Sequence, residues 1–147
     1  MTTKKLRLAQ RSSRAAYKGI ALSSFPIRSL PIADLWQSVS VVPAFVEEIR
    51  ESIADEGLFQ PVIVVRLPRE EVVEYFTKKR ALRGVSGGGS HVPDRPWLSV
   101  IWGGSNRVAA IAELGYTHVD CVLIPEFELA SAVQKAQRDH YKRHKAQ

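Results

Sequence analysis

The tract Gly103-Gly104-Ser105-Asn106-Arg107 gathers residue types suited to holding a phosphate. Two glycines let the backbone reach positive φ and let a ligand approach closely. A helix that starts here presents unpaired N–H groups and a partial positive charge at its first turn. Ser105 can cap that helix or hydrogen-bond an anion. Arg107 adds a charged fork matched to phosphate oxygens. Together these features describe an anion site. The same five residues also fit a tight turn with a Ser or Asn cap and a surface arginine, and the tract alone leaves both readings open.

Other chemistry-bearing residues carry less. The Gly- and Ser-rich stretch 84–90 lacks Gly-Lys-Ser/Thr and is not a P-loop; it reads as a surface linker or, as a second reading, a flap over a ligand. His91, His118, His140 and His144 form no metal pattern. His140 and His144 share a helix face at i, i+4 but have only basic neighbours, so no metal is expected. Trp36, Trp97 and Trp102 could stack a base, although Trp97 and Trp102 lie in a predicted strand, where a core role is the ordinary one. Cys121 is the single cysteine, which excludes an intramolecular disulfide. Its apolar surroundings predict a buried side chain.

The elements that must position these residues can be read from pattern. Residues 27–35, with Pro31, suit a short edge strand and a turn. Pro43 opens a helix with Phe45, Val46, Ile49 and Ile53 on its inner face and Gly57 as its stop. The β-branched run 62–65 predicts a buried strand. A second helix is expected over 68–83, with Pro68 in its first turn, Glu70 and Glu71 early, and Lys78, Lys79 and Arg80 late. Residues 97–102 and 119–124 read as strands, 107–114 as a helix stopped by Gly115, and 127–144 as a last helix. Alternating strands and helices give an α+β or α/β class.

The chain has 147 residues, 45% hydrophobic and 24% charged, which suits one globular domain with its own core. No apolar run reaches the ~20 residues of a membrane span, and no apolar segment comes after the basic start, so a secretory signal is not expected. An organelle transit peptide stays open; a cytoplasmic protein is the simpler expectation. Net charge is +6, concentrated at both ends. Residues 1–28 hold Lys4, Lys5, Arg7, Arg11, Arg14, Lys18 and Arg28 and no acid; residues 135–147 hold Lys135, Arg138, Lys142, Arg143 and Lys145 against Asp139. The body between them is mildly acidic. Basic ends suit DNA or another polyanion, because each phosphate contact releases a counterion. They also suit a solubilising tail or an arm docked on an acidic protein. Residues 1–24 are expected to be a basic mobile arm, 25–125 the domain, and 126–147 a basic C-terminal helix.

Two tracts carry a family resemblance. Glu51-Ser52-Ile53-Ala54-Asp55-Glu56-Gly57-Leu58-Phe59-Gln60-Pro61-Val62-Ile63-Val64-Val65 resembles the first signature of the ParB/sulfiredoxin superfamily: a helix with Ser-Ile, then Gly-Leu-x-Gln-Pro, then a β-branched strand. Gly103-Gly104-Ser105-Asn106-Arg107, followed by Ala109-Ala110-Ile111-Ala112-Glu113-Leu114-Gly115, resembles the second, and 30–35 looks like the opening strand. The resemblance covers about residues 27–125, with 66–96 as a long insertion. It implies a ParB/sulfiredoxin-like fold (a small mixed sheet packed with helices) and a nucleotide, such as ATP or CTP with magnesium, whose phosphates lie on the turn at 103–107. Arg107 matches the shared arginine, Ser52 a hydroxyl facing the nucleotide, and Gln60 the Gln of the Gln-Pro signature.

The departures bear on activity. Ser105 stands where sulfiredoxins have their catalytic cysteine and ParB proteins a glutamate. Asn106 stands where these families have His or Arg, and Phe45 where sulfiredoxins have a basic residue. About twenty residues follow Pro125, too few for the helix-turn-helix domain with which partitioning proteins read DNA. The expected function is therefore a ParB-like module that binds a nucleotide or nucleic-acid phosphate and associates with DNA without sequence preference through Lys4, Lys5, Arg7, Arg11, Arg14, Lys142, Arg143 and Lys145. One alternative is a ParB-like nuclease, nucleotide hydrolase or kinase with Glu48 or Glu56 as base. Another is a structural component of a phage particle or plasmid-encoded complex, with protein partners or copies of itself and, in the phage case, a place within the virus particle.

Overall fold

A computed structural model describes residues 3–7, 16–17, 20–21, 25–37, 41–57, 60–82 and 92–145. The stretch 84–90 and residues Arg11 and Arg14 lie outside the described residues.

The run Val62-Ile63-Val64-Val65 explains the architecture. It forms the start of strand β6 (Val62–Pro68), and all four side chains are fully buried. Alternate residues of a strand point to opposite faces, so both faces must be covered. Ile63 and Val65 join a core with Leu98, Val100, Val122, Phe127 and Val133. Val62 and Val64 join a second core with Ile53, Ile101, Val108, Ile111 and Cys121. Helices α2 (Arg69–Leu82) and α4 (Phe127–Lys145) supply the first layer; α1 (Pro43–Glu56) and α3 (Ser105–Glu113) supply the second.

The sheet is mixed. Strand β7 (Trp97–Gly103) runs antiparallel to β6, and β8 (His118–Ile124) runs parallel to β6 on its other edge. Strand β4 (Ile27–Pro31) pairs antiparallel with β8, and β5 (Leu35–Trp36) pairs parallel with β7. Strand β1 (Lys5–Leu6) also pairs with β8, at His118 and Val119. Two further short strands, β2 (Ala16–Tyr17) and β3 (Ile20–Ala21), pair antiparallel with each other.

Several expectations shift. Lys5 and Leu6 lie in the sheet rather than in an arm: Leu6 is buried, and Thr117 N–H donates to the Lys4 carbonyl at 2.7 Å. Pro68 ends β6 instead of opening α2: it stands opposite Trp97 at the end of the β6–β7 ladder, and α2 starts at Arg69. Phe45 fits the inner stripe of its helix by spacing, yet 53% of its surface is exposed. Helix α1 rests on its Val46–Ile53 stripe, with Ile49 half-buried between them, which turns Phe45 outward. Trp97 is likewise 53% exposed rather than in the core, whereas Trp36 and Trp102 pack against it. Trp102 and Tyr75 both lie against Phe127, Tyr75 stacked at 4.0 Å between ring centroids. No helix among the described residues is long and apolar enough to cross a membrane.

Candidate functional site

The turn at 103–107 leaves β7 and enters α3. The β6–β7 register shifts by one residue between Ile63 and Val64, so the ladder is irregular just before the turn. Such an irregularity bends the strand and re-aims the residues next to it. Gly103 closes the ladder opposite Ile63. A Cβ there would sit 3.2 Å from Cγ of Gln134 on α4, so that side chain packs directly on the glycine. Sequence reasoning missed Gln134; its only signal is its place four residues after the buried Ala130.

Gly104 is the cap of α3, with φ +112°. Ser105, a candidate cap by type, is instead the first helical residue, one position too late. Gly104 has no side chain to offer, and α3 has no side-chain cap hydrogen bond. The cap carbonyl does accept the first helical bond, from Val108 N–H at 2.8 Å. The start of α3 thus keeps the uncapped amide groups and partial positive charge that favour an anion.

Arg107 is used differently from a surface fork. Its Nη1 donates to the Gln60 carbonyl at 2.9 Å, and Nη2 reaches the Gly103 carbonyl at 3.5 Å. The side chain folds back over Gly104. Burial lowers the guanidinium to about 10, with neighbouring Cys121 opposing the shift, so it stays charged at neutral pH. The structure therefore joins the two sequence tracts through Arg107 and Gln60, but through the Gln60 backbone rather than its side chain.

Asn106 is also engaged. Its Oδ1 accepts from Val42 N–H at 2.8 Å. Val42 is the cap residue of α1 and has no side-chain cap of its own, so Asn106 ties the starts of α1 and α3 together. Beside this tie lies a cleft of about 370 Å³ lined by Val41, Pro43, Val46, Glu47, Arg50, Ala109 and Glu113. Arg50 and Glu113 pair across it at 3.4 Å; both are substantially exposed.

The remaining candidates are more dispersed. Ser52, Glu48 and Glu56 are exposed on α1, and none of the three lines the cleft. Lys4 spends its ammonium on the far end of α3, donating to the Leu114 carbonyl at 3.3 Å and lying 4.3 Å from the centre of the Tyr116 ring. That places a cation at the negative end of the helix. Lys5 and Arg7 are exposed, and Lys142, Arg143 and Lys145 fall on the last turns of α4. Cys121 is fully buried, its thiol donating to the Val119 carbonyl at 3.4 Å. Burial, then Asp120, push that thiol up to about 12, with Arg107 acting in the other direction.

No protein-family model and no curated protein matches the sequence. Among solved structures, the chain is similar to sulfiredoxin from Arabidopsis thaliana, at 17% identity and a TM-score of 0.44, over 74% of this chain and 97% of that one. It is also similar to the C-terminally truncated chromosome-partitioning protein ParB from Caulobacter crescentus complexed with CTP-gamma-S, at 19% identity and a TM-score of 0.48. That match spans 80% of this chain and about half, 53%, of the ParB chain.

Proposed function

We propose that this chain is a phosphate-binding module whose site is the start of α3, and that it holds the phosphates of a nucleotide or nucleic acid without transforming them. The observation that carries the reading is the uncapped helix start at Gly104, a glycine at positive φ that offers no capping side chain of its own to the first amides of α3 and has the Arg107 guanidinium folded against it. Ser105 adds a hydroxyl at the first helical position. A nucleoside triphosphate, ATP or CTP with magnesium, is the ligand class to test first. The basic residues near both ends of the sequence suit a second, non-sequence-specific contact with DNA.

Binding is favoured over turnover because the turn offers a hydroxyl and an amide, Ser105 and Asn106, and the Asn106 oxygen is already committed to Val42. The candidate bases Glu48 and Glu56 sit exposed on α1.

The test is titration of the intact chain with a nucleoside triphosphate panel, with and without magnesium, beside the variant Ser105→Asp. An aspartate at the first turn suits the helix dipole, so the variant keeps its fold while repelling an anion. Saturable binding by the wild type, lost in Ser105→Asp, is the expected result. A wild type that binds neither triphosphate nor DNA at low salt overturns the proposal.

A further inference from the structure

The opposite end of β7 carries a second surface. Side chains alternate along β7: Leu98 and Val100 enter the α2–α4 core, and Ile101 enters the α1–α3 core. Trp97 and Ser99 therefore share the face of Ile101. On β6, Val62 and Val64 define the same face, which places Arg66 there too. Arg66 stands directly opposite Ser99 in the ladder, and its Nη1 donates to the Ser99 hydroxyl at 3.0 Å. Trp97 is its diagonal neighbour, with backbones roughly 7–8 Å apart. Past Ser99 this face opens to solvent: Arg66 is exposed, and Trp97 is 53% exposed.

The approach to Trp97 is fixed by a third arginine. Arg69 donates through Nε to the Pro93 carbonyl at 3.0 Å, and its backbone N–H bonds the Pro96 carbonyl at 3.0 Å. Those bonds hold the 92–96 segment, which carries exposed Arg95 two residues before Trp97. Exposed Asp94 is the one acid of that segment, against Arg95 and Arg66.

We infer that Trp97, Arg66 and Arg95 form a stacking platform for single-stranded nucleic acid. An exposed indole on a sheet face offers a surface to any unpaired base, and flanking guanidiniums track the backbone phosphates. A duplex, whose bases are already stacked, offers the indole no equivalent partner. The Ser99 bond holds Arg66 along the sheet and leaves its remaining N–H groups for phosphate. Strand β7 runs the seven residues from Trp97 to Gly103, so the platform lies about 20 Å from the helix start and stands independently of it.

The experiment titrates the full chain with a labelled ten-nucleotide oligothymidylate, reading affinity and tryptophan emission. Trp97→Ala is expected to weaken binding by about tenfold or more, while the variant still unfolds cooperatively well above the temperature of the titration, because the indole lies outside both cores and is 53% exposed. Trp97→Phe is expected to abolish the emission change, which separates Trp97 from Trp36 and Trp102. The double variant Arg66→Ala/Arg95→Ala is expected to reduce the slope of log affinity against log salt by about 1.4. Ser105→Asp is expected to leave the emission change intact, so failure of the α3 site and failure of the platform are distinguishable. Wild-type affinity in Trp97→Ala overturns the inference. So does an emission change that tracks protein concentration without oligonucleotide, which assigns the surface to a second copy of the chain.

Discussion

The guanidinium of Arg107 packs on Gly104: its Nε and Nη2 lie 3.0 Å from the point where a Cβ on Gly104 would stand. The absence of a side chain at 104 is thus required twice. The backbone there is at φ +112°, and the arginine that ties Gln60 to the turn passes through the space a methyl would fill.

Gly104→Ala is therefore expected to be costly. Positive φ at a residue with a Cβ costs about 1–3 kcal/mol, and displacement of the Arg107 side chain adds to it. Urea denaturation should show a lowered midpoint, and any triphosphate binding should fall with it. A midpoint equal to that of the wild type would mean the turn relaxes without loss.

Arg107→Ala is expected to destabilise by about 2 kcal/mol, because it leaves the Gln60 and Gly103 carbonyls without their charged donor. Arg107→Lys should recover only part, since one ammonium cannot reproduce a fork reaching two carbonyls. If Arg107 served only as a ligand contact, both variants would unfold at the wild-type midpoint while losing affinity.

Asn106→Ala removes the acceptor for Val42 N–H and loosens the start of α1. A loss of about 1 kcal/mol is expected. Amide exchange should locate it: Val42 N–H should exchange faster than in the wild type, with strand β6 unaffected. Uniform acceleration across the sheet would show that the tie is global.

Cys121 gives a pH-dependent signature. Its folded thiol is raised from 9.0 to about 12 by burial. Between these values the folded state retains a proton that the unfolded chain releases. This contribution to stability is complete below about pH 9 and is lost as pH rises toward 12. Denaturation midpoints measured from pH 8 to 10.5 should fall more steeply in the wild type than in Cys121→Ala. A thiol reagent should label native protein slowly and unfolded protein fast.

Much of the frame was legible because local pattern and burial agree. The β-branched run at 62–65 had to be a strand, and Gly57 and Gly115, both at positive φ, mark helix ends as expected. Gly103 and Gly104 flagged the turn. What sequence could not supply was direction. Nothing in the letters of Arg107 tells whether its fork faces solvent or folds over Gly104, since rotamer choice depends on where the Gln60 carbonyl lies. Phe45 and Ile49 both fit a helical stripe, but only the angle of α1 on α3 decides which is covered. Trp97 fits a strand core by type, yet it stands half exposed at the start of β7. Ser105 misses the cap by one residue because Gly104 can take the cap conformation itself.

The pairing of β1 with β8 bears on the order in which the protein assembles. Lys4 and Thr117, 113 residues apart, exchange backbone and hydroxyl hydrogen bonds. Strand β8 is also the neighbour of β4 and β6. Three strands made earlier on the ribosome therefore wait for residues 118–124 before their edges are satisfied. Contacts of such long separation slow folding, and incomplete sheets expose apolar strands to other chains. A nascent chain stalled before His118 would hold β6, with its four fully buried aliphatic residues, without its parallel neighbour, and that species is where chaperone engagement should concentrate.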